Sequence, residues 1–320
     1  MKPQERFTLI MNRQSRFEWG GEYVPSTLAV PREAPKGSRI SRLRSRKLGR
    51  TVHLLSGPEK IFAQLALYHP YLFELHEQKM LWPVNTGHPL RGHPLMKGSF
   101  PPPLRGTVSI AREIGFKHHE IVVEDASGNR RKIPYPYQGD LLLYLLNSRG
   151  EPYAVNWTIK DLAVAFRERR SSSPKTPVQQ RKDREHAELR GELERRYYAS
   201  AGIRTVEVSR DLVSPTIQAN LDLLFGMHDL DFSLEAALLE DFSGAVADAV
   251  QTGKPVAYVA IEHSVRWGFR DQFIAKIYQD IWDRKLLVDF NEPILIDRPL
   301  VTGGCDLLQE FGSFFEESTP

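Results

Sequence analysis

Apolar positions recur along this chain in two rhythms, and the changes of rhythm mark out its elements. Residues 56–59 read Ser-Gly-Pro-Glu, a helix start with a capping hydroxyl and a proline tolerated in the first turn. Ile61, Phe62, Leu65 and Ala66 then return on one face, and the helix is predicted to stop near His69-Pro70. From 71 to 81 the pattern alternates, Leu72, Glu74 and His76 against Phe73, Leu75 and Glu77, as in a half-buried strand. Residues 82–105 are rich in proline and glycine and read as a loop or surface insertion. Segments 120–124 and 131–135 predict a hairpin around Ser127-Gly128-Asn129. Strands at 141–146 and 153–160 form another, turning at Gly150-Glu151-Pro152, with a helix over 161–170 after it. Serine- and proline-rich 171–177 reads as a flexible break, followed by a charged helix at 178–201 closed by Gly202. A strand at 205–208 and a helix at 215–224 complete this part.

The two ends read differently. Residues 1–50 lack sustained periodicity and are rich in Pro, Ser and Arg, which predicts an extended, largely irregular arm docked in part by Phe17, Trp19 and Tyr23. A domain boundary is expected near Phe225-Gly226. Beyond it, helices at 233–252 and 269–282 precede two short paired strands at 286–289 and 293–296, a winged-helix-like layout. The acidic tail after Gly304 is expected to be poorly ordered. The reading is therefore α/β: a basic arm over 1–50, a mixed sheet flanked by helices over 51–225, and a smaller winged-helix-like domain over 226–320.

Composition adds limits. A chain of 320 residues, 41% hydrophobic and 26% charged, suits a soluble globular protein large enough for two cores. No apolar run approaches the roughly 20 residues of a membrane helix, and residues 1–16 are too polar for a secretory signal, so a cytoplasmic protein without membrane contact is expected. The single cysteine, Cys305, excludes an internal disulfide and a cysteine-based zinc cluster, and the histidines show no i, i+4 pair. Net charge is only +3, but Arg32, Lys36, Arg39, Arg42, Arg44, Arg46, Lys47 and Arg50 face one acid, Glu33. Such a block is either a solvated tail or a site for a polyanion; Arg39, Arg42, Arg44, Arg46, Lys47 and Arg50 are the candidates for DNA phosphate contact.

Two adjacent strands joined by the 147–152 turn would bring Asp140, at the head of one, beside Lys160, at the end of the other. Together with Glu59 this is the chemistry of phosphodiester hydrolysis: carboxylates that can hold Mg²⁺, and an ammonium beside the nucleophile and the developing charge. An acid followed by a lysine on a later strand also arises by chance, and an ordinary strand-end lysine is the plain alternative.

Three blocks are more specific. Glu59-Lys-Ile-Phe-Ala-Gln-Leu-Ala-Leu-Tyr-His-Pro70 with Phe73-Glu-Leu-His-Glu77-Gln78, then Tyr135-Pro-Tyr-Gln-Gly-Asp140-Leu-Leu-Leu, then Thr158-Ile-Lys160 resemble the TnsA endonucleases of heteromeric cut-and-paste transposons, within the restriction-endonuclease-like superfamily. Leu193-Glu194-Arg-Arg-Tyr-Tyr198, Gly202-Ile203, Ala219-Asn220 and the run 281–289 extend the likeness over about residues 51–300. The resemblance implies a catalytic set of Glu59, Asp140, Lys160 and Thr158, Mg²⁺ (or Mn²⁺) held by Asp140, Glu59 and the Ile159 carbonyl, and support from Gln78. It also implies double-stranded DNA at transposon ends as substrate, a TnsB-type DDE transposase as co-worker, and a TnsC-type AAA+ ATPase bound through residues 226–320. Thr158 stands where the family places Glu or Gln, and Gly139 where it places Pro. Because i and i+2 share a strand face, Thr158 offers the site a hydroxyl, and Glu194 is the candidate to compensate as a metal ligand. The alternatives are a stand-alone restriction- or repair-type nuclease and a DNA-binding assembly subunit whose site has decayed.

Overall fold

In a computed structural model, which describes residues 1–124, 127–168, 175–304 and 306–318, the chain opens with a helix where an extended arm was expected. Helix α1 (Pro3–Gln14) starts on a proline and buries only Ile10 and Gln14. Gln14 pins it by donating to the Val24 carbonyl (2.7 Å) and accepting from the Met80 amide (3.1 Å). Residues 15–40 are irregular, as the composition predicts, and then β1 (Ser41–Ser45) and β2 (Arg50–Leu54) form an antiparallel hairpin. Leu43, Val52 and Leu54 are buried there while Arg42 and Arg44 point outward, a period of two concealed by the run of arginines.

Helix α2 (Gly57–Tyr68) begins as its start signal predicts, the Ser56 side chain accepting the Glu59 amide, and ends at His69. The following strand is broken into β3 (Leu72–Glu77) and β4 (Met80–Leu81) by Gln78, whose φ of +50° is left-handed. Residues 82–105 are loop with one short 3-10 turn, but α3 (Thr107–Glu113) was not foreseen. Next come β5 (Glu120–Glu124) and β6 (Arg130–Pro134), paired antiparallel, then β7 (Tyr137–Gln138), which pairs β4. Strands β8 (Leu141–Leu146) and β9 (Pro152–Lys160) follow, then α4 (Pro177–Ala199), β10 (Arg204–Ser209) and α5 (Pro215–Met227). The helix expected over 161–170 is, in its described part, only a 3-10 turn at Ala163–Phe166, and residues 171–174 of the expected break lie outside the described residues.

The central sheet runs β10-β9-β8-β3, with β8 antiparallel to both β3 and β9, and β9 parallel to β10. Alternation divides it between two cores. Leu141, Leu143, Leu145, Val155, Trp157 and Ile159 pack with Phe62 and Leu65 of α2; Leu142, Tyr144 and Ala154 pack with Leu193, Tyr197 and Tyr198 of α4.

The remainder is helical: α6 (Ala236–Gln251), α7 (Val256–Trp267) and α8 (Arg270–Trp282), of which α7 was missed. The strands expected at 286–289 and 293–296 do not form among the described residues. Asn220 does the work of a hairpin there, donating to the Phe290 (3.0 Å) and Glu292 (2.8 Å) carbonyls and accepting the Ile294 amide (3.1 Å). The boundary expected at Phe225-Gly226 falls inside α5, and one apolar cluster continues from Phe62 and Trp157 to Phe242, Val259 and Ile277. The acidic tail packs in its described part: α9 (Leu307–Glu310) leads Phe311, Phe314 and Phe315 onto the same cluster. Cys305 lies outside the described residues. No described helix is long and apolar enough to cross a membrane. The chain is thus a mixed α/β protein.

Candidate active site

Antiparallel pairing of β8 with β9 sets Leu141 opposite Trp157, so the residue before β8 and the last residue of β9 meet at one end of the sheet. Lys160 Nζ lies 3.8 Å from Asp140 Oδ2. The Ile159 amide donates to the same carboxylate oxygen at 2.7 Å, and the Lys160 ammonium also donates to the Ile159 carbonyl at 3.1 Å. The Asp140 side chain is 25% exposed and that of Lys160 39%, so the pair faces solvent at the rim of the sheet.

Glu59 comes from the first turn of α2. Its carboxylate accepts from the Leu55 amide, the Ser56 hydroxyl and Gln78 Nε2, each at 2.8 Å. Burial, and then the charge of Asp140, push its carboxyl up to about 7, against the pull of these donors and of Lys160. Asp140 is raised as well, by burial first and by the charge of Glu194, with Lys160 and the Ile159 amide opposing. Three of the predicted residues therefore share one electrostatic environment. Gln78 joins them: its amide donates to the Asp140 carbonyl (3.0 Å), its own carbonyl accepts from Ser26, and its left-handed backbone aims the side chain at Glu59. Such a conformation costs about 1–3 kcal/mol in a non-glycine residue, which these bonds offset.

Thr158 and Glu194 are coupled to each other. The Thr158 hydroxyl donates to Glu194 Oε1 (3.0 Å), Asn156 donates to the same atom (3.1 Å), and Arg190 holds Oε2 (3.0 Å). Both oxygens of Glu194 are thereby engaged. The glycine at 139 has a steric reason, because a Cβ there would stand 3.2 Å from the Tyr198 hydroxyl and 3.5 Å from Asn156 Oδ1.

Among the described residues no group of three or more His, Cys, Asp or Glu side chains is arranged to hold a metal ion. The oxygen donors nearest to such a set are two carboxylates, Asp140 and Glu59, linked through Gln78, and the Ile159 carbonyl, which accepts from Lys160. This all-oxygen set suits Mg²⁺, which is commonly bound through one or two carboxylates with water and substrate phosphate completing its shell.

Beside Lys160 opens a cavity of about 630 Å³, bounded by Lys36, Arg39, Arg210 and the start of α2 at Gly57 and Pro58. Its acid, Asp161, lies 3.7 Å from Arg210. Exposed cations such as these are the usual furnishing of a phosphate track. Arg210 escaped sequence reading; it follows Ser209, which pairs in parallel with Lys160, so only the β9-β10 register brings it here. The candidate DNA contacts divide. Arg39 lines this cavity and Arg42 is exposed, whereas Arg44 pairs with Asp229 (2.9 Å) and Arg46 with Asp283 (2.6 Å). Lys47 donates to the Leu67 (2.8 Å) and His69 (2.5 Å) carbonyls at the end of α2. Arg50 is buried between Glu74 and Glu77, each at 3.0 Å, and its assignment to DNA contact is corrected: it is an interior cation. Compared with known proteins, the chain matches no family model, and no curated protein matches its sequence.

Proposed function

We propose that this chain is a metal-dependent DNA endonuclease, with a restriction-endonuclease-like core, acting as the TnsA-type subunit that cleaves the 5′ ends of a transposon. The observation that carries the reading is the contact of Asp140 with Lys160, 3.8 Å, at the shared end of two adjacent strands, with Glu59 tied in through Gln78. In this reading Asp140 and Glu59, with the Ile159 carbonyl, hold Mg²⁺ or Mn²⁺. Bound there, the cation supplies polarisation of the scissile phosphate and acidification of a water molecule. Lys160 sets its ammonium against the phosphate oxygens where negative charge grows. Gln78 keeps the Glu59 carboxylate in place. Lys36, Arg39 and Arg210 grip neighbouring phosphates without reading bases, so binding weakens steeply with salt. A TnsB-type DDE transposase cuts and joins the 3′ ends, and a TnsC-type AAA+ ATPase docks on the helices from α6 onward.

The test combines the purified protein, Mg²⁺ or Mn²⁺, the transposase and double-stranded end DNA. Asp140→Ala is expected to lower 5′-end cleavage by at least about a hundredfold without changing the circular dichroism spectrum; equal cleavage by both proteins would remove Asp140 from the chemistry. The engagement of Thr158 with Glu194 supports a second reading, a DNA-binding assembly subunit with a decayed site. Calorimetric titration separates the two, because a decayed site takes up no Mn²⁺ that depends on Asp140.

A further inference from the structure

A second cavity, of about 460 Å³, lies against α4 and is unused by the cleavage proposed above. Phe17, Trp19, Trp82 and Tyr197 supply aromatic walls, while Lys79 and Arg91 supply positive charge against one lining acid, the exposed Glu18. The walls are set before any ligand arrives. Trp19 Nε1 donates to the Pro89 carbonyl (3.1 Å), its ring meets Tyr144 edge-on at 5.1 Å, and the Tyr197 hydroxyl accepts the Trp82 amide (3.1 Å). Lys79 makes no ion pair among the described residues. Its ammonium rests 5.0 Å from the ring centroids of both Phe17 and Tyr23, and the nearby acid Glu74 is committed to Arg50. Ring faces attract a cation but do not neutralise it. Fixed indole and phenol walls beside an ammonium that makes no ion pair among the described residues and an exposed guanidinium fit a ligand that is planar at one end and anionic at the other.

We propose that this cavity binds a nucleoside monophosphate unit, its base against Trp19 and Trp82 and its phosphate on Lys79 and Arg91, supplied by an unpaired nucleotide of a DNA strand or by free mononucleotide. The first source rests on the nuclease reading. The Gly139 amide donates to the Lys79 carbonyl (2.9 Å) and the Gln78 amide to the Asp140 carbonyl (3.0 Å), so the cavity wall and the start of β8 share a backbone ladder. An unpaired nucleotide held here would belong to a strand passing Asp140.

The full-length chain is titrated with dAMP, inorganic phosphate, blunt duplex and duplex carrying one unpaired nucleotide, read by tryptophan fluorescence and calorimetry. Saturable dAMP uptake is expected, at least about tenfold tighter than phosphate and weakened at least about tenfold by Lys79→Met, while Asp140→Ala leaves it unchanged. Arg91→Ala, at an exposed loop position, gives the same direction of change if Lys79→Met does not fold. Displacement of dAMP by the duplex with an unpaired nucleotide identifies a strand as the source; no displacement identifies free nucleotide. Absence of dAMP uptake, phosphate binding as tight as dAMP, or unchanged affinity in the folded variants overturns the proposal. Nucleotide uptake without any cleavage defeats the nuclease reading alone, and cleavage without nucleotide uptake defeats the cavity alone.

Discussion

Arg39 and Arg50 belong to one basic run, yet the fold uses them oppositely. Arg39 is exposed beside Lys160. Arg50 offers one amino group to Glu77 at 3.0 Å and the other to Glu74 at 3.0 Å, to Glu77 at 3.1 Å and to the Leu75 carbonyl. Glu77 is fully buried, so removing its partner leaves a carboxylate stranded out of water. Arg50→Met is expected to lower unfolding free energy by about 3–5 kcal/mol in urea titration. Arg39→Ala is expected to stay within about 0.5 kcal/mol while reducing DNA affinity and the slope of its salt dependence. Sequence cannot separate these two arginines, because the difference lies in acids on β3 that reach Arg50 through the fold. The spacing of Asp140 and Lys160 was readable, since a short turn between two apolar strands dictates which ends meet. The Thr158-Glu194 bond was not readable as such, although both residues were suspected of facing one site.

At the scale of elements, legibility followed periodicity and caps. Helix α2 carries Ser56 and Pro58 at its start, and β8 with β9 forms two apolar runs around a turn, so their bounds match the reading closely. Helix α1 buries only Ile10 and Gln14 and is held by Gln14 and by the Arg13-Glu33 pair at 2.7 Å, contacts made across irregular chain. The tail misled because its acids outweigh its aromatics in composition. Phe315 is 3% exposed, with its ring 5.0 Å from that of Trp157, and the indole N–H donates to the Phe314 carbonyl at 2.8 Å. Phe315→Ala is accordingly expected to destabilise by about 3–5 kcal/mol and to shift Trp157 emission to the red; an unchanged melting temperature would show that the tail adds nothing.

For the whole molecule, the apolar cluster running through α5 predicts one cooperative unfolding transition by fluorescence and calorimetry, where two separate cores would give two. Stability also answers to pH through buried histidines. His76, wholly buried and stacked 3.8 Å from Tyr23, is held well below the usual histidine range, first by burial and then by Lys79 and Arg50; His88 is lowered to about 4 by burial. Below pH of about 6.5 the unfolded chain takes protons that these rings refuse, so each removes up to about 1.4 kcal/mol of stability per unit of acidification. The raised carboxyls of Glu59 and Asp140 act in the opposite sense. The check is therefore the difference between the natural chain and His76→Phe, which should lose less stability between pH 7 and 5.5. The bond from Trp157 to Phe314 spans 157 residues. During synthesis the strand that ends in Lys160 therefore lacks this partner for its indole until Phe314 has left the ribosome.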